Sequence, residues 1–206
     1  MIKKKLLVPD QSTEEKIKDA ARKVFTGKGY AATRTRDIAE AAGINLALLN
    51  YYFRSKEKLF EIVMVEKMQK FFGHILPVIY DEQSTLESKL ESISAGYIDM
   101  FITNPDIPFF IMGEVRNNPA IIQNVIRKKD FLKNSIFIKQ VREKMPDQDP
   151  FQFFLSFLSL CIFPFVMRPV FQHLTETDDK KFNQMMTDRK KMIPVWTKAI
   201  LKAKYP

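Results

Sequence analysis

Thr35-Arg36-Asp37-Ile38-Ala39-Glu40-Ala41-Ala42-Gly43-Ile44-Asn45-Leu46-Ala47-Leu48-Leu49-Asn50-Tyr51-Tyr52-Phe53 is the stretch whose reading decides the fold. Ile38, Ala39 and Ala42 recur at helical spacing and form the inner side of a short helix from Arg36 to Ala42, with Thr35 as its cap. Gly43 supplies the positive φ of a tight turn, and Asn45 caps a second short helix running to Phe53. Small Ala39 and Ala42 allow the two helices to approach closely. Ile38, Ile44 and Leu49 have the spacing to close a core with Val24 and Phe25. Asn45, Leu46, Ala47, Asn50 and Tyr51 are left facing outward. A helix, a glycine turn and a second helix make a helix-turn-helix, whose second helix enters the DNA major groove. Amide, hydroxyl and small apolar groups suit base edges, thymine methyls and phosphates.

The flanks extend this reading. Upstream, Ser12-Thr13-Glu14-Glu15 has the form of a capping box. Ile17, Ala20, Ala21, Val24 and Phe25 then make one apolar stripe, which Gly27 and Gly29 end. Downstream, Ser55 caps a fourth helix expected to stop near Leu76, before Pro77. Later helices are expected over residues 85–103, 108–115 and 120–144. Two more are expected over 150–173, bent near Pro164, and 178–202, kinked at Pro194. The fold class is all-α. An N-terminal DNA-binding domain (residues 1–55, with a basic tail at 1–11) precedes a larger helical domain (56–206).

Charge supports this division. The 206 residues carry 33 Lys and Arg against 24 Asp and Glu. Residues 1–58 hold thirteen of the basic and seven of the acidic groups, so most of the surplus lies in little more than a quarter of the chain. Such a basic unit favours a polyanionic partner. A single cysteine, Cys161, excludes an internal disulfide framework and suits a reducing compartment. With only two histidines beside it, a structural zinc site is not expected. His74 and His173 have no carboxylate or nucleophile at a catalytic spacing, and no glycine-rich phosphate loop is present, so neither an enzyme nor a bound cofactor is expected.

The apolar runs leave one alternative open. Met1 to Val8 has too short an apolar part for a secretory signal. Residues 151–167 hold seventeen positions without a charge, just short of a membrane span. A buried or interface helix is the main reading. A membrane-associated helical protein, with 151–171 inserted and Lys3 to Lys5 at the lipid surface, is the alternative.

The helix-turn-helix with its flanks resembles the TetR (tetracycline-repressor-like) family of transcriptional regulators. The matching residues are Thr35, Ile38, Ala39, Ala42, Gly43, Ile44 and Asn45, then Leu49 to Phe53, then Ser55-Lys56-Glu57-Lys58-Leu59. Asn45 stands where Ser or Thr is usual, Asn50 replaces a frequent Tyr, and Leu46 and Leu48 occupy positions often polar. The resemblance implies a cytoplasmic homodimeric repressor that binds double-stranded operator DNA and releases it on binding a small-molecule effector, with no membrane partner. It maps Thr35, Tyr51, Tyr52 and Lys56 to phosphate contacts and Arg36, Asn45, Leu46, Ala47 and Asn50 to positions at or near base edges. It implies an effector pocket between the central helices, with Phe72, Tyr97, Met100, Phe101, Phe109, Phe110 and Met112 as candidates for an apolar or aromatic compound. The last two helices would form the dimer, with Phe154, Phe157, Leu158, Cys161 and Trp196 at the interface.

Overall fold

A computed structural model describes residues 11–110, 112 and 130–203. Residues 1–10 of the expected basic tail, and the parts of the expected helices over 113–115 and 120–129, lie outside the described residues. The described residues are helical, without a strand. They divide into two compact units, the first ending at Lys67 and the second beginning at Met68.

In the first unit α1 (Gln11–Ala32) is followed by α2 (Thr35–Ala41), α3 (Leu46–Phe53) and the first half of α4 (Lys56–Tyr80). Ser12 lies within α1 rather than ahead of it, so it is not the cap. Gly29 does leave the helical conformation, with φ 75° and ψ 166°, but helix resumes and continues to Ala32. One backbone break does not end a helix when the residues beyond it can start another turn. Helix α2 begins one residue early. Arg34 is its cap, and the Asp37 carboxylate accepts the Arg34 backbone N–H at 3.0 Å, half of a capping box that displaces Thr35 from the role. The core is Ile17, Ala21, Phe25, Ile38, Leu49, Leu59 and Val63, each essentially sealed from water. Val24 and Ile44, expected in that core, are half-buried.

Helix α4 runs through Pro77 for three further residues. The proline leaves the Gly73 carbonyl without its helical donor. Gly73 is exposed, so water can serve instead, and near a helix end the disruption is small.

The second unit adds α5 (Leu86–Thr103), α6 (Ile136–Lys144), α7 (Pro150–Val166), α8 (Arg168–Thr175) and α9 (Asp179–Lys202). Thr85, Ser135, Asp149 and Asp178 cap α5, α6, α7 and α9 through side-chain oxygens. Residues 107–110 are also helical. The single helix expected over 120–144 does not extend through 130–135. These residues form turns that open on left-handed Asp130 (φ 54°), and Ser135 starts α6 afresh. The expected bend near Pro164 is present: α7 and α8 differ in direction by 59° across Met167. Pro164 cannot donate to the Leu160 carbonyl, which instead accepts Nε of Arg189 from α9 at 3.0 Å.

α9 lies along α5, and α7 packs on α5, α6 and α9. A ladder of rings, Tyr97–Phe101–Phe165–Phe182–Phe171, links α5, α7, α9 and α8 at centroid spacings of 5.7, 5.2, 5.9 and 6.2 Å. Lys89 is fully buried in α5. Its Nζ donates to the Asp81 carbonyl (2.6 Å) and to the Ser84 carbonyl (2.8 Å) and hydroxyl (2.7 Å), which fixes the loop between α4 and α5. Burial pushes its pKa below the usual lysine value. No single helix among the described residues is long and apolar enough to cross a membrane. α7 and α8 together have the composition for it but are bent, and α7 buries Phe153, Phe157, Cys161 and Phe165 in the core of the unit.

Candidate nucleic-acid interface

The turn between α2 and α3 is closed by three backbone bonds, in which Ala42, Gly43 and Ile44 donate to the carbonyls of Ile38, Glu40 and Ala39 at 2.9, 3.0 and 3.0 Å. Gly43 sits at φ 66°, the conformation that only glycine adopts without strain. Asn45 Oδ1 accepts the Leu48 N–H at 2.8 Å, so the third helix starts where the sequence indicates. Leu49 (0% exposed) and Phe53 (4%) anchor α3 on the core.

The opposite face is a stripe at three- and four-residue spacing: Ala47, Asn50, Tyr51 and Arg54, all exposed. Asn45 at the cap is exposed too, whereas Leu46 is half-buried. Arg54 was not singled out by the motif. Continuing the register four residues past Asn50 reaches it, and that is the signal that finds it. It ends α3 in a positive-φ conformation, φ 37°, and its N–H donates to the Asn50 carbonyl at 3.0 Å. At the start of α2, Arg34 and Arg36 are exposed and Thr35 is half-buried. Asp37 pairs with Lys28 at 3.2 Å. The Arg34 N–H and Lys28 hold its carboxyl below the ordinary aspartate value. The acidic group nearest this arginine pair is therefore already engaged.

Two expected phosphate contacts have other partners as well. Tyr52 is half-buried and lies edge-on to Tyr51, with ring centroids 5.6 Å apart. Lys56 Nζ donates to the Tyr30 carbonyl and to the Thr33 carbonyl, both at 3.1 Å, and lies 4.1 Å from the centre of the Tyr30 ring. A cation at the C-terminal carbonyls of α1 is where the helix dipole favours one. Tyr30 Oη donates to Glu57 at 2.9 Å, and its ring packs on Phe60 and Phe25. Lys56 thus joins the end of α1 and the residue before Arg34 to the start of α4.

In the second unit a cavity of about 270 Å³ opens between α4, α5, α6 and α7. Phe72, Tyr97 and Met100 line it, as expected. Phe101, Phe109, Phe110 and Met112 do not. Phe101 faces the other way, sealed against Phe165, and Phe109 and Met112 are about half exposed. Phe154, Phe157 and Leu158, expected at a dimer interface, line the cavity, and Cys161 is buried in the core of its own chain. The Trp196 ring is half-buried under the Arg189 guanidinium, 4.7 Å from its centre. Helix α7 is apolar on every side, so periodicity could not assign its faces. Packing turns Phe153, Phe157, Cys161 and Phe165 inward and leaves Leu155 and Phe163 exposed, at 58% and 59%.

Residues 17–63 match the sequence profile of the N-terminal domain of bacterial regulatory proteins, tetR family. Within its first unit the chain therefore carries a tetR-family regulatory domain. Among its relatives is the probable HTH-type transcriptional regulator YttP of Bacillus subtilis, 34% identical over 84 residues, which are 40% of this chain and 35% of that one. The HTH-type transcriptional repressor KstR2 of Mycolicibacterium smegmatis is 29% identical over 119 residues, 52% of this chain and 58% of that one. The matches therefore span between about a third and three fifths of these relatives. The all-helical fold over nearly the whole chain is similar to that of the transcriptional regulator FadR from Bacillus subtilis, solved in complex with stearoyl-CoA. It is 18% identical, with a TM-score of 0.54, covering 87% of this chain and 96% of that one.

Proposed function

We propose that the protein is a cytoplasmic transcriptional repressor that reads an inverted-repeat operator as a homodimer and is released by a small apolar effector. The observation that carries this reading is the exposed stripe of α3, Ala47, Asn50, Tyr51 and Arg54, beside exposed Arg34 and Arg36. Asn50 can pair with an adenine edge, Ala47 can meet a thymine methyl, and the arginines can meet phosphate. Asn45 and Leu46 lie at the end of α3 that enters the groove first. Thr35, Tyr51 and Tyr52 supply hydroxyls to the backbone, and Lys56 holds the unit in register. The repressor names of several relatives support the direction of regulation.

One short helix reads only a few base pairs, so two copies are needed, their half-sites about 34 Å apart or a multiple of that. The faces of α7 and α9 that expose Leu155, Phe163, Met192 and Val195 supply the apolar surface for pairing. The effector occupies the cavity, and the stearoyl-CoA bound by a protein of the same fold supports a small-molecule role for this region. Coupling runs through α4, one helix whose residues 56–67 belong to the first unit and 68–80 to the second. A ligand shifts the operator equilibrium only as far as it prefers the non-binding state, and DNA must oppose ligand by the same factor.

Selection of bound DNA from a random pool tests the reading. An inverted repeat with steeply salt-dependent affinity is expected, because neutralised phosphates release counterions. A pool that never enriches, or that enriches a single asymmetric half-site, refutes it.

A further inference from the structure

The first unit holds a cluster of charged side chains away from the α3 stripe, and one of them, Glu66, reaches from α4 across to α1. Arg22 places Nε (3.1 Å) and Nη2 (2.5 Å) on its Oε2, and Lys18 Nζ lies 3.7 Å from its Oε1. These three side chains are the shielded part of the cluster, at 13% exposure for Lys18, 25% for Arg22 and 27% for Glu66. Glu14, Glu15 and Asp19 also pair with the two cations, but they lie on α1 itself and are more exposed. Among the described carboxylates of this cluster, Glu66 alone joins two helices. Beside it, Lys67 Nζ donates to Thr26 Oγ1 at 2.8 Å.

Two ties fix a direction where one does not. Lys56, ten residues earlier on α4, is bonded to the Tyr30 and Thr33 carbonyls at the end of α1. Ten residues make about 15 Å of helix. Between the two ends the contact is apolar, with Leu59 and Val63 in the core and the Phe60 ring 5.0 Å from that of Phe25. Apolar burial has no preferred direction. With Lys56 as pivot, a turn of about 13° would carry the Glu66 end sideways by about 3.4 Å, the rise of one base pair. Charge-assisted bonds from a planar guanidinium are directional and resist that turn. We infer that Glu66 is a positioning residue. Held by Arg22 and Lys18, it sets the direction in which α4 leaves the DNA-binding unit, and through it the half-site spacing that the protein accepts. This rests on reading the protein as a homodimer on an inverted repeat, and adds a residue that decides which repeat is bound.

The test uses the full chain with Glu66→Met, which keeps length and helix preference and removes the charge, and with Arg22→Met, alone and combined. Nitroxides on Glu40→Cys and Lys70→Cys, both exposed positions, report the direction of α4 through their distance distribution in pulsed electron resonance, while buried Cys161 stays unlabelled. The parent should give a narrow distribution and each Met variant a broader one. The double variant should be no broader than either single, because the two residues form one tie. The second readout is anisotropy on the selected operator, on the same repeat with its half-sites moved one base pair together or apart, and on a single half-site. Glu66→Met should bring the affinities for the native and shifted repeats about threefold closer, the size expected of one partly shielded pair whose cations keep other partners. Half-site affinity should stay that of the parent. A variant acting through unfolding or a lost DNA contact would lower half-site affinity too, and that result overturns the inference. An unchanged distance distribution, or a spacing preference equal to the parent's, overturns it as well. A broadened distribution with no operator recovered from the random pool supports the tie and refutes the inverted-repeat reading.

Discussion

Helix α3 of the first unit and helix α7 of the second both bury phenylalanine and leucine-sized side chains, yet they differ in how their two faces are told apart. In α3 the buried Leu49 and Phe53 alternate with polar or small Asn50, Tyr51 and Ala47, so the face that must meet a partner is written in its own periodicity. In α7 residues 151–167 carry no charge, and nothing in the helix distinguishes Phe157, which is sealed, from Phe163, which is mostly exposed. There the distinction is made by the neighbours: α5, α6 and α9 cover one side and leave the other bare. A helix with one apolar stripe announces its orientation, whereas one apolar all round has it assigned from outside.

The sharpest way to break this comparison is to put the same charge on both faces of α7. Phe157→Asp buries a carboxylate where a ring stood, at a cost of about 3–5 kcal/mol. That is a large part of the about 5–15 kcal/mol that holds a domain folded. Helical signal and cooperative unfolding should be lost at moderate denaturant. Leu155→Asp, on the exposed face, should leave a folded chain that elutes as a monomer in light-scattering chromatography and loses operator affinity. Equal destabilisation by both would mean that α7 has no bare face. A Leu155→Asp variant that stays dimeric would place the pairing surface elsewhere.

The corresponding test on α3 is Ala47→Glu. The side chain points outward, so folding should be untouched. A carboxylate thrust toward bases and phosphates should cut operator affinity by about a hundredfold or more, as read by fluorescence anisotropy. Affinity unchanged within a factor of two would remove α3 from the groove.

The helix-turn-helix of the first unit was legible in the sequence because its signals are local. The Asn45 cap, the Gly43 turn and the Ile38–Leu49 core lie within a dozen residues of one another. Besides Arg54 and the caps of α1 and α2, the contacts of Lys56 were not legible, because they depend on carbonyls at Tyr30 and Thr33 more than twenty residues upstream, which no spacing rule within the motif contains. In the second unit the starts of α5 and α9 were legible at Thr85 and Asp178, whereas the start of α6 at Ser135 was hidden inside a pattern that read as one helix over 120–144. The cavity was found in part, because Phe72, Tyr97 and Met100 sit on helices that had to face each other. The assignment of Phe101 to it failed because a quarter turn separates Met100 from Phe101, and only the packed structure says on which side of α5 the space lies.

A smaller effect distinguishes holding from touching at Lys56. Lys56→Ala removes two hydrogen bonds to the end of α1 and a contact with the Tyr30 ring, worth about 1–2 kcal/mol to the first unit. Operator affinity should fall about tenfold on every sequence. The slope of affinity against salt should stay that of the parent, since no phosphate contact has gone. A slope reduced by about one would show that Lys56 leaves the carbonyls for a phosphate when DNA arrives.

The smallest expected effect concerns Cys161, the residue whose silence would confirm that the inner face of α7 is sealed. Burial pushes its thiol up from 9 to about 12, and Arg189, which acts in the opposite sense, offsets only part of that. Only the thiolate is nucleophilic, so at pH 8 the folded chain presents a reactive fraction of about one in ten thousand, and no accessible sulfur. Iodoacetamide should therefore label the native protein negligibly and the urea-unfolded protein at the rate of an ordinary thiol. The sign of the linkage follows from the raised value. The unfolded thiol ionises above pH 9 and the folded one does not, so the contribution of Cys161 to stability is full below pH 9 and is lost between 9 and about 12. Cys161→Ser, which cannot ionise in that range, should flatten this decline in a denaturant midpoint measured at pH 9 and at pH 10.5. Rapid labelling of the native chain would show that α7 turns this face to water, and the separation drawn between its two faces would fall with it.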